Sequence, residues 1–497
     1  MKPFPDDVRF VGPLRPQRFE ATVEDCIVEG EIPKDLYGGF YRTSPTFKRH
    51  KKQPGYGMMA SDRMVQGLIL ENGQATYRNR WVRTPKYMLE EAHGEGLFEW
   101  HDAWPDYRGE TITPVRGNGS VTDGVPAGSN TVNAVPYYAK TGNVVLACNE
   151  ILNVPIALDP MTLETLGPIA CAGQMVKGYC GEPTFTAHPK WDPETGVIFG
   201  ATSGEEAPYV TVQAIHPDGT VKSKAIENEP FRTSIHDIWL TKDHVAVPYT
   251  GWHYDSENAK AGGAPMHWKP ENGVTIALVP RDLESPVKWI KSDFPGEYIL
   301  HTLSANTSDN KITLNGPVYK QPPFGFDQFN QVGSPYIPLY AANNGHWVCD
   351  LDSGTLSSEV FDDRPCEFPK IDERFFGKPY QHGFMLGGDT LYMLDTLIHY
   401  NVRSGEEKRL RIVDPEEHDK PVGLAEPVFV PRHASAAEGD GYMLLPVSWF
   451  TDHLSEYWLL DTEDITQGPI AKVKMPFQMG WSTHGHWMDF ANVPGKN

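Results

Sequence analysis

Cysteine is scarce in this chain of 497 residues, which has six scattered cysteines and no Cys-x-x-Cys pair. This scatter favours free, buried thiols in a reducing cytoplasm over disulfides. Long apolar runs are also missing, so no segment is a candidate for crossing a bilayer. Residues 1–7 lack the apolar core of a secretory signal, and we expect a cytoplasmic protein.

Positively charged residues are also scarce relative to acidic ones. Lysine and arginine number 44 against 65 acidic residues, which gives a formal net charge of −21. A field of that sign disfavours nucleic acid and anionic membrane surfaces as partners. We therefore expect a small, uncharged ligand and no nucleic acid, and the sequence gives no strong membrane signal.

Turn-forming residues, in contrast, are plentiful. The chain has 46 glycines, 43 prolines and 39% hydrophobic residues, which favours many short strands around a large core. An apolar strand that enters a tight polar turn, with a second strand leaving it, recurs seven times, and Asn72-Gly73 is the strongest such hairpin signal. The other six turns lie near Asp159, Pro217, Pro280, Asp350, Asn401 and Asp461.

The spacing of these turns predicts the fold class. After the first gap they recur every 50 to 70 residues or so, about the length of a four-stranded propeller blade with insertions. We predict an all-β chain with one domain over residues 1–497, a seven-bladed β-propeller. Residues 1–36 are expected to form an N-terminal arm, and residues 85–130 a dome of loops and short helices over one face. Unrelated hairpins in a β-sandwich are the alternative.

Four histidines lie far apart in the sequence, each between successive hairpin turns and each in or beside a predicted strand. They are His188, His236, His301 and His484. The inner strands of a propeller converge on its axis, so side chains from distant blades meet there. Neutral imidazole is the commonest transition-metal ligand, so the pattern predicts a site for iron, copper or zinc.

Several motifs resemble the carotenoid and stilbene cleavage oxygenases. Residues 186–196 around His188 are similar to the first ligand segment of that family, and His236-Asp237 is similar to the second. His484-Gly485, followed by Trp487, resembles the family's C-terminal motif. Residues 158–165 and 426–432 also match, in the family's order, and the general style of the sequence resembles the bacterial members that act on lignostilbenes and phenylpropenes such as isoeugenol.

The resemblance implies Fe(II) as the cofactor, held by four histidines with no carboxylate ligand. It also implies three glutamates that orient three of those histidines, at Glu150, Glu367 and Glu426. The family's last ligand precedes glycine, which selects His484 over His486. We expect the His486 side chain to point to the opposite face of the strand.

Four positions bear on the substrate. The lignostilbene-cleaving branch uses a tyrosine and a lysine on the substrate's phenol, and these positions fall on His101 and Asn149 here. A threonine near the open coordination sites falls on Thr131 or Val132. The phenol-activating pair is therefore predicted to be absent.

The implied activity is addition of O2 across a C=C bond and scission to two carbonyl products. The expected substrate is a small aryl alkene, a stilbenoid or phenylpropene, and no organic cofactor is required. Cleavage of an apocarotenoid is the alternative. A non-oxidative isomerase or hydrolase on the same scaffold, and a non-catalytic binding propeller, are less favoured.

Overall fold

The protein is described here from a computed structural model. The structure describes residues 4, 10, 12–49, 61–98, 121, 132–150, 154–178, 183–204, 206–255, 266–323, 342–389 and 393–491.

Strands dominate the described residues. The first sixteen are β1 (Ala21–Val23), β2 (Ile27–Gly30), β3 (Gly38–Ser44), β4 (Met64–Glu71), β5 (Gln74–Trp81), β6 (Asn133–Ala139), β7 (Gly142–Cys148), β8 (Ile156–Leu158), β9 (Thr165–Pro168), β10 (Lys190–Trp191), β11 (Ile198–Ser203), β12 (Val210–Ile215), β13 (Val221–Ala225), β14 (Trp239–Leu240), β15 (His244–Tyr249) and β16 (Trp252–Tyr254).

The second half continues in the same way. Its strands are β17 (Met266–Trp268), β18 (Thr275–Pro280), β19 (Lys288–Ser292), β20 (Ser304–Ser308), β21 (Lys311–Tyr319), β22 (Ala342–Asp350), β23 (Thr355–Ile371), β24 (His382–Gly387), β25 (Thr396–Asn401), β26 (Glu407–Arg411), β27 (Val422–Leu424), β28 (Val428–Pro431), β29 (Gly441–Trp449), β30 (Leu454–Asp461), β31 (Pro469–Met475) and β32 (His484–Asp489). Short 3-10 turns span Gly12–Leu14, Ala172–Gln174, Pro270–Asn272, Glu373–Phe375 and Ile465–Gln467.

The strands form mostly antiparallel sheets. One runs β1-β5-β4-β3-β32-β6-β7-β8-β9, a second runs β10 to β13, and a third runs β2-β31-β30-β29-β27 with β28 beside β29. The largest runs β14-β15-β18-β19-β23-β22-β21-β20 and extends from β23 through β24 to β26, while β16 and β17 pair with each other. The all-β prediction is confirmed in its coarse form, because the described residues are mostly β-strand with a single α-helix among them.

All seven predicted hairpin turns lie between paired antiparallel strands, at β4–β5, β8–β9, β12–β13, β18–β19, β22–β23, β25–β26 and β30–β31. In the first of these turns, Asn72 and Gly73 both have positive φ, 53° and 78°. That is the backbone of a type I′ turn, which Asn-Gly favours.

One α-helix is described, α1 (Pro85–His93). Thr84 caps it by accepting a hydrogen bond from the Tyr87 amide, proline occupies the first turn, and Gly94 ends it with φ 74°. This helix agrees with the short helix expected at the start of the dome, and most of residues 99–131 lie outside the described part of the protein.

The two ends of the described chain meet in one sheet. Strand β32 pairs antiparallel with β3 and parallel with β6, so near-terminal strands lie side by side. Residues of the predicted N-terminal arm add the edge strands β1 and β2, beside β5 and β31. Five of the six cysteines are described, and these are buried and form no disulfide with one another; Cys180 lies outside the described residues.

Among the described residues, no helix has both the length and the apolar character that crossing a membrane requires.

Candidate metal centre

The four predicted histidines come from similar places in the fold. His188, His236 and His301 lie in loop segments that end two or three residues later in β10, β14 and β20, and His484 is the first residue of β32. Three of the four are therefore ahead of a strand rather than within it. Because each histidine precedes or begins a strand, all four are presented at the same end of their strands.

The four side chains converge on one point. One nitrogen from each lies within 4.8 Å of the corresponding nitrogen of every other. His236 Nε2 and His301 Nε2 are 3.2 Å apart, and the His188 and His484 ring centres are 4.4 Å apart. No carboxylate of the described residues belongs to this cluster. Four imidazole nitrogens at such spacing could hold a transition-metal ion.

Three of the histidines are each contacted through Nδ1 by a glutamate, which leaves Nε2 to face the cluster. The contacts are His236 Nδ1 to Glu150 Oε2 at 2.6 Å, His301 Nδ1 to Glu367 Oε2 at 2.6 Å, and His484 Nδ1 to Glu426 Oε1 at 3.0 Å. A carboxylate that accepts the Nδ1–H fixes the tautomer and the ring angle of a ligating histidine. Each of the three glutamates named from the sequence therefore lies against one histidine of the cluster.

His188 differs from the other three because its Nε2 is a buried atom without a hydrogen-bond partner among the described residues. An unpartnered polar nitrogen in the interior is costly, and it is explained when the nitrogen binds something. Burial lowers the pKa of His188 well below its ordinary value, and the three neighbouring histidines lower it further. The side chain is therefore neutral, as a metal ligand must be. This donor set fits a divalent metal ion.

Further hydrogen bonds hold the Glu367 carboxylate in place. Burial alone would raise the pKa of Glu367, but His301, the Tyr319 hydroxyl and a backbone amide outweigh burial and keep it below its ordinary value. Tyr319 donates its hydroxyl to Glu367 Oε1 at 2.5 Å, and the Phe368 amide donates to Oε2 at 2.6 Å. Glu367 is fully buried, so these bonds fix its orientation against His301.

A lysine that the sequence motifs did not single out holds the third glutamate. Lys370 Nζ lies 3.2 Å from Glu426 Oε2 and donates to the Gly485 carbonyl at 2.9 Å. Burial alone would raise the pKa of Glu426, but Lys370 and His484 outweigh it and hold the pKa well below its ordinary value. Lys370 thus ties the carboxylate to the strand that carries the histidine.

The expectation that His486 faces away from His484 is wrong. Residues two apart in a strand point to the same face, and both histidines line a cavity of about 20 Å³, room for one water-sized group. His486 differs from His484 in its partners. Its Nδ1 lies 2.6 Å from Glu373 Oε1 and its Nε2 lies 3.2 Å from Asn133 Nδ2, so both ring nitrogens are engaged.

The predicted substrate positions are only partly described. His101 and Thr131 lie outside the described residues. The Val132 backbone is used structurally, because its carbonyl accepts hydrogen bonds from Thr43 and Thr483. Asn149 is buried directly before Glu150, beside the cluster in sequence.

Comparison with known proteins identifies relatives of this chain. Residues 14–489 match the retinal pigment epithelial membrane protein family. Isoeugenol monooxygenase of Pseudomonas nitroreducens is 30% identical over 495 residues, covering 97% of this chain and 98% of that protein. Lignostilbene-α,β-dioxygenase isozyme III of Sphingomonas paucimobilis is 28% identical over 520 residues, covering 99% of each.

The fold is shared with solved structures. The crystal structure of Pseudomonas brassicacearum lignostilbene dioxygenase superposes with a TM-score of 0.83 at 29% identity, covering 98% of this chain and 100% of that one. A cobalt-substituted apocarotenoid oxygenase (ACO) structure from Synechocystis superposes with a TM-score of 0.78 at 24% identity, over 97% of this chain and 98% of that one.

This mostly-β protein brings four histidines together beside carboxylates, and the relatives that match it over nearly its whole length are named oxygenases. The chain belongs to the retinal pigment epithelial membrane protein family, that of the carotenoid oxygenases.

Proposed function

We propose that this protein is a non-haem Fe(II) oxygenase that uses O2 to cleave the alkene bond of a phenylpropene or stilbenoid into two carbonyl products. The observation that carries the proposal is the convergence of His188, His236, His301 and His484, with one nitrogen unpartnered and three rings held by carboxylates. The full-length similarity to an isoeugenol monooxygenase and a lignostilbene dioxygenase supports the substrate class.

The four histidines are the proposed iron ligands. Neutral imidazoles leave the ion its divalent charge, whereas carboxylate ligands would reduce it. Bound iron would supply the site at which O2 is activated beside the alkene. The protein itself fixes the tautomers of His236, His301 and His484 through Glu150, Glu367 and Glu426.

An aromatic side chain, Phe368, lies against two of the four histidines. Phe368 stacks on the His301 ring with 5.9 Å between ring centres, and it lies 5.6 Å from the His484 ring. Phe368 has a φ of 56°, a left-handed backbone that a bulky residue rarely adopts and that places its ring against both histidines. An aromatic ring in this position offers an apolar contact to an uncharged alkene.

We also propose that the sheets are the blades of a seven-bladed propeller with the metal on its axis. Seven hairpin turns between antiparallel strands, the pairing of β32 with both β3 and β6, and the similarity to the lignostilbene dioxygenase structure support this architecture.

Product analysis tests the proposed reaction. Iron-loaded protein is incubated under air with isoeugenol, hydroxylated and methoxylated stilbenes, and an apocarotenal, and the products are identified by mass spectrometry. We expect aldehydes from the aryl alkenes and none under argon. Cleavage of the apocarotenal alone would replace the proposed substrate with the alternative one.

Products formed equally well under argon would instead point to non-oxidative isomerase or hydrolase chemistry. Iron-loaded protein that binds an aryl alkene without turnover in either gas would favour a binding protein. The His301→Ala variant is the control, because it removes a proposed ligand whose Nδ1 already has a defined carboxylate partner.

A further inference from the structure

Three of the four clustered histidines lie in loop segments, and a loop needs an additional contact to hold a side chain in place. His188, His236 and His301 precede their strands, whereas His484 lies within β32 and is fixed by pairing with β3 and β6. Metal sites require ligands held within a fraction of an ångström of their working positions. The loop-borne histidines therefore need a tether that the sheet does not supply.

Asp237 contacts all three loop segments at once. Its carboxylate accepts hydrogen bonds from the Thr302 amide at 2.8 Å and the Thr302 hydroxyl at 2.9 Å, next to His301. It also pairs with Lys190 Nζ, 2.9 Å from Oδ1 and 3.0 Å from Oδ2, two residues after His188. Asp237 itself directly follows His236.

Both oxygens of the Asp237 carboxylate take part in these contacts. The Ile238 amide donates to Oδ1 at 2.7 Å, so each oxygen accepts from an amide as well as from the ammonium. Asp237 is 2% exposed, and charge-assisted hydrogen bonds of this kind are stronger than neutral ones. Lys190 reaches the carboxylate from beyond Pro189, whose ring restricts the backbone between the lysine and His188.

We infer that Asp237 and Lys190 form a positioning pair that sets the geometry of three proposed metal ligands. The pair binds no metal and touches no substrate; it acts through the loops that carry His188, His236 and His301. Together with Thr302 it lines the small cavity that His188 and His301 also line. This inference rests on the proposed metal centre.

The experiment measures metal binding directly. Metal-free protein is titrated with Co²⁺, whose visible absorption reports both the dissociation constant and the coordination geometry. Asp237→Asn keeps the size of the side chain but removes the charge that pairs with Lys190. We expect its Co²⁺ affinity to fall by about 10- to 100-fold, with a changed absorption spectrum.

The lysine supplies an independent test should the aspartate variant fail to fold. Lys190→Met should weaken Co²⁺ binding to a similar extent, and Lys190→Arg should restore most of it, because arginine keeps the cation. The double variant Lys190→Met/Asp237→Asn should bind no worse than the weaker single variant, because the two residues act as one unit.

Asp192→Asn is the matched control. Asp192 is also a buried aspartate paired with a cation, 2.5 Å from Arg281, and it lies four residues after His188. We expect this variant to lower the melting temperature and leave Co²⁺ affinity unchanged. Equal losses in Asp192→Asn and Asp237→Asn, or an unchanged Co²⁺ spectrum and affinity in Asp237→Asn and Lys190→Met, would overturn the inference. Failure of the unaltered protein to bind Co²⁺ would instead overturn the proposed metal centre.

Discussion

At the scale of single residues, the partners of an imidazole decide whether it can bind a metal. His484 and His486 lie two apart on one face of β32 and line the same cavity. His484 has one nitrogen held by Glu426, whereas both nitrogens of His486 are engaged, by Glu373 and Asn133. Only the first arrangement leaves a nitrogen for a metal.

This difference gives a paired prediction. His484→Ala should abolish iron binding, because it removes a proposed ligand, and His486→Ala should keep close to one iron per protein molecule. Elemental analysis of the two purified variants measures both outcomes. Loss of iron from His486→Ala, with retention in His484→Ala, would exchange the two assignments.

The carboxylates give a second prediction with an internal control. Replacing Glu150, Glu367 or Glu426 by glutamine should weaken iron binding by about 10- to 100-fold each, since the amide no longer favours the ligating tautomer as strongly. Glu373→Gln is the control, because Glu373 is also enclosed but holds His486. Iron dissociation constants by chelator competition measure the effect. Equal losses at all four positions would show that general destabilisation, not ligand orientation, is responsible.

Asn149 and His101 occupy the two positions that we expect to affect substrate preference. Near pH 7 an asparagine is uncharged and a histidine is at most partly protonated. Neither residue therefore replaces the lysine cation that pairs with a phenolate. A charge-assisted contact is worth about 1.5–3 kcal/mol. We therefore expect similar kcat/KM for a 4-hydroxystilbene and its methyl ether from pH 6 to 10. A hundredfold preference for the free phenol would contradict this and place the role on another residue.

The sequence predicted the residues of the cluster better than it predicted their supports. The four histidines and three glutamates occur in ordered motifs, so the resemblance could single out all seven as candidates. Lys370, Glu373 and the Lys190–Asp237 pair were missed as supports because their partners are remote in sequence. Lys190 and Asp237 do lie within two residues of His188 and His236, and that adjacency was the available signal.

At the scale of elements, the turns were the most predictable part of the fold. Asn72-Gly73 fixes a type I′ backbone locally, so the hairpin follows from two residues. The parallel contacts of β6 with β32 and of β19 with β23 join distant segments, and no local pattern predicts them.

Gly485 in strand β32 gives a prediction about the packing of β32 against β3. A Cβ atom there would lie 2.2 Å from the Tyr41 carbonyl oxygen on β3, so Gly485→Ala must move the two strands apart. We expect a loss of about 1–3 kcal/mol in the free energy of unfolding, together with weaker iron binding because His484 is adjacent. Gly173→Ala is the control, since nothing lies within 4 Å of its added Cβ. Chemical denaturation of both variants decides the question, and equal stability would contradict the close approach of β3 and β32.

At the scale of the whole molecule, the proposed metal centre depends on closure of the fold. Its histidines span residues 188 to 484, and β32 reaches the cluster while pairing with β3 near the other end of the described residues. No single segment can assemble such a site, so metal binding reports the complete fold. The net charge of −21 adds a field that favours cations over anionic ligands.

The most direct test of the account is the rate of alkene cleavage as a function of iron bound per protein molecule. Metal-free protein receives increasing Fe(II) under air with one aryl alkene that it cleaves, and bound iron and carbonyl product are measured in the same samples. The account predicts that product formation rises in proportion to bound iron, stops rising at one iron per molecule, and is absent in His301→Ala and under argon. Full activity in metal-free protein, or activity that persists in His301→Ala, would contradict it.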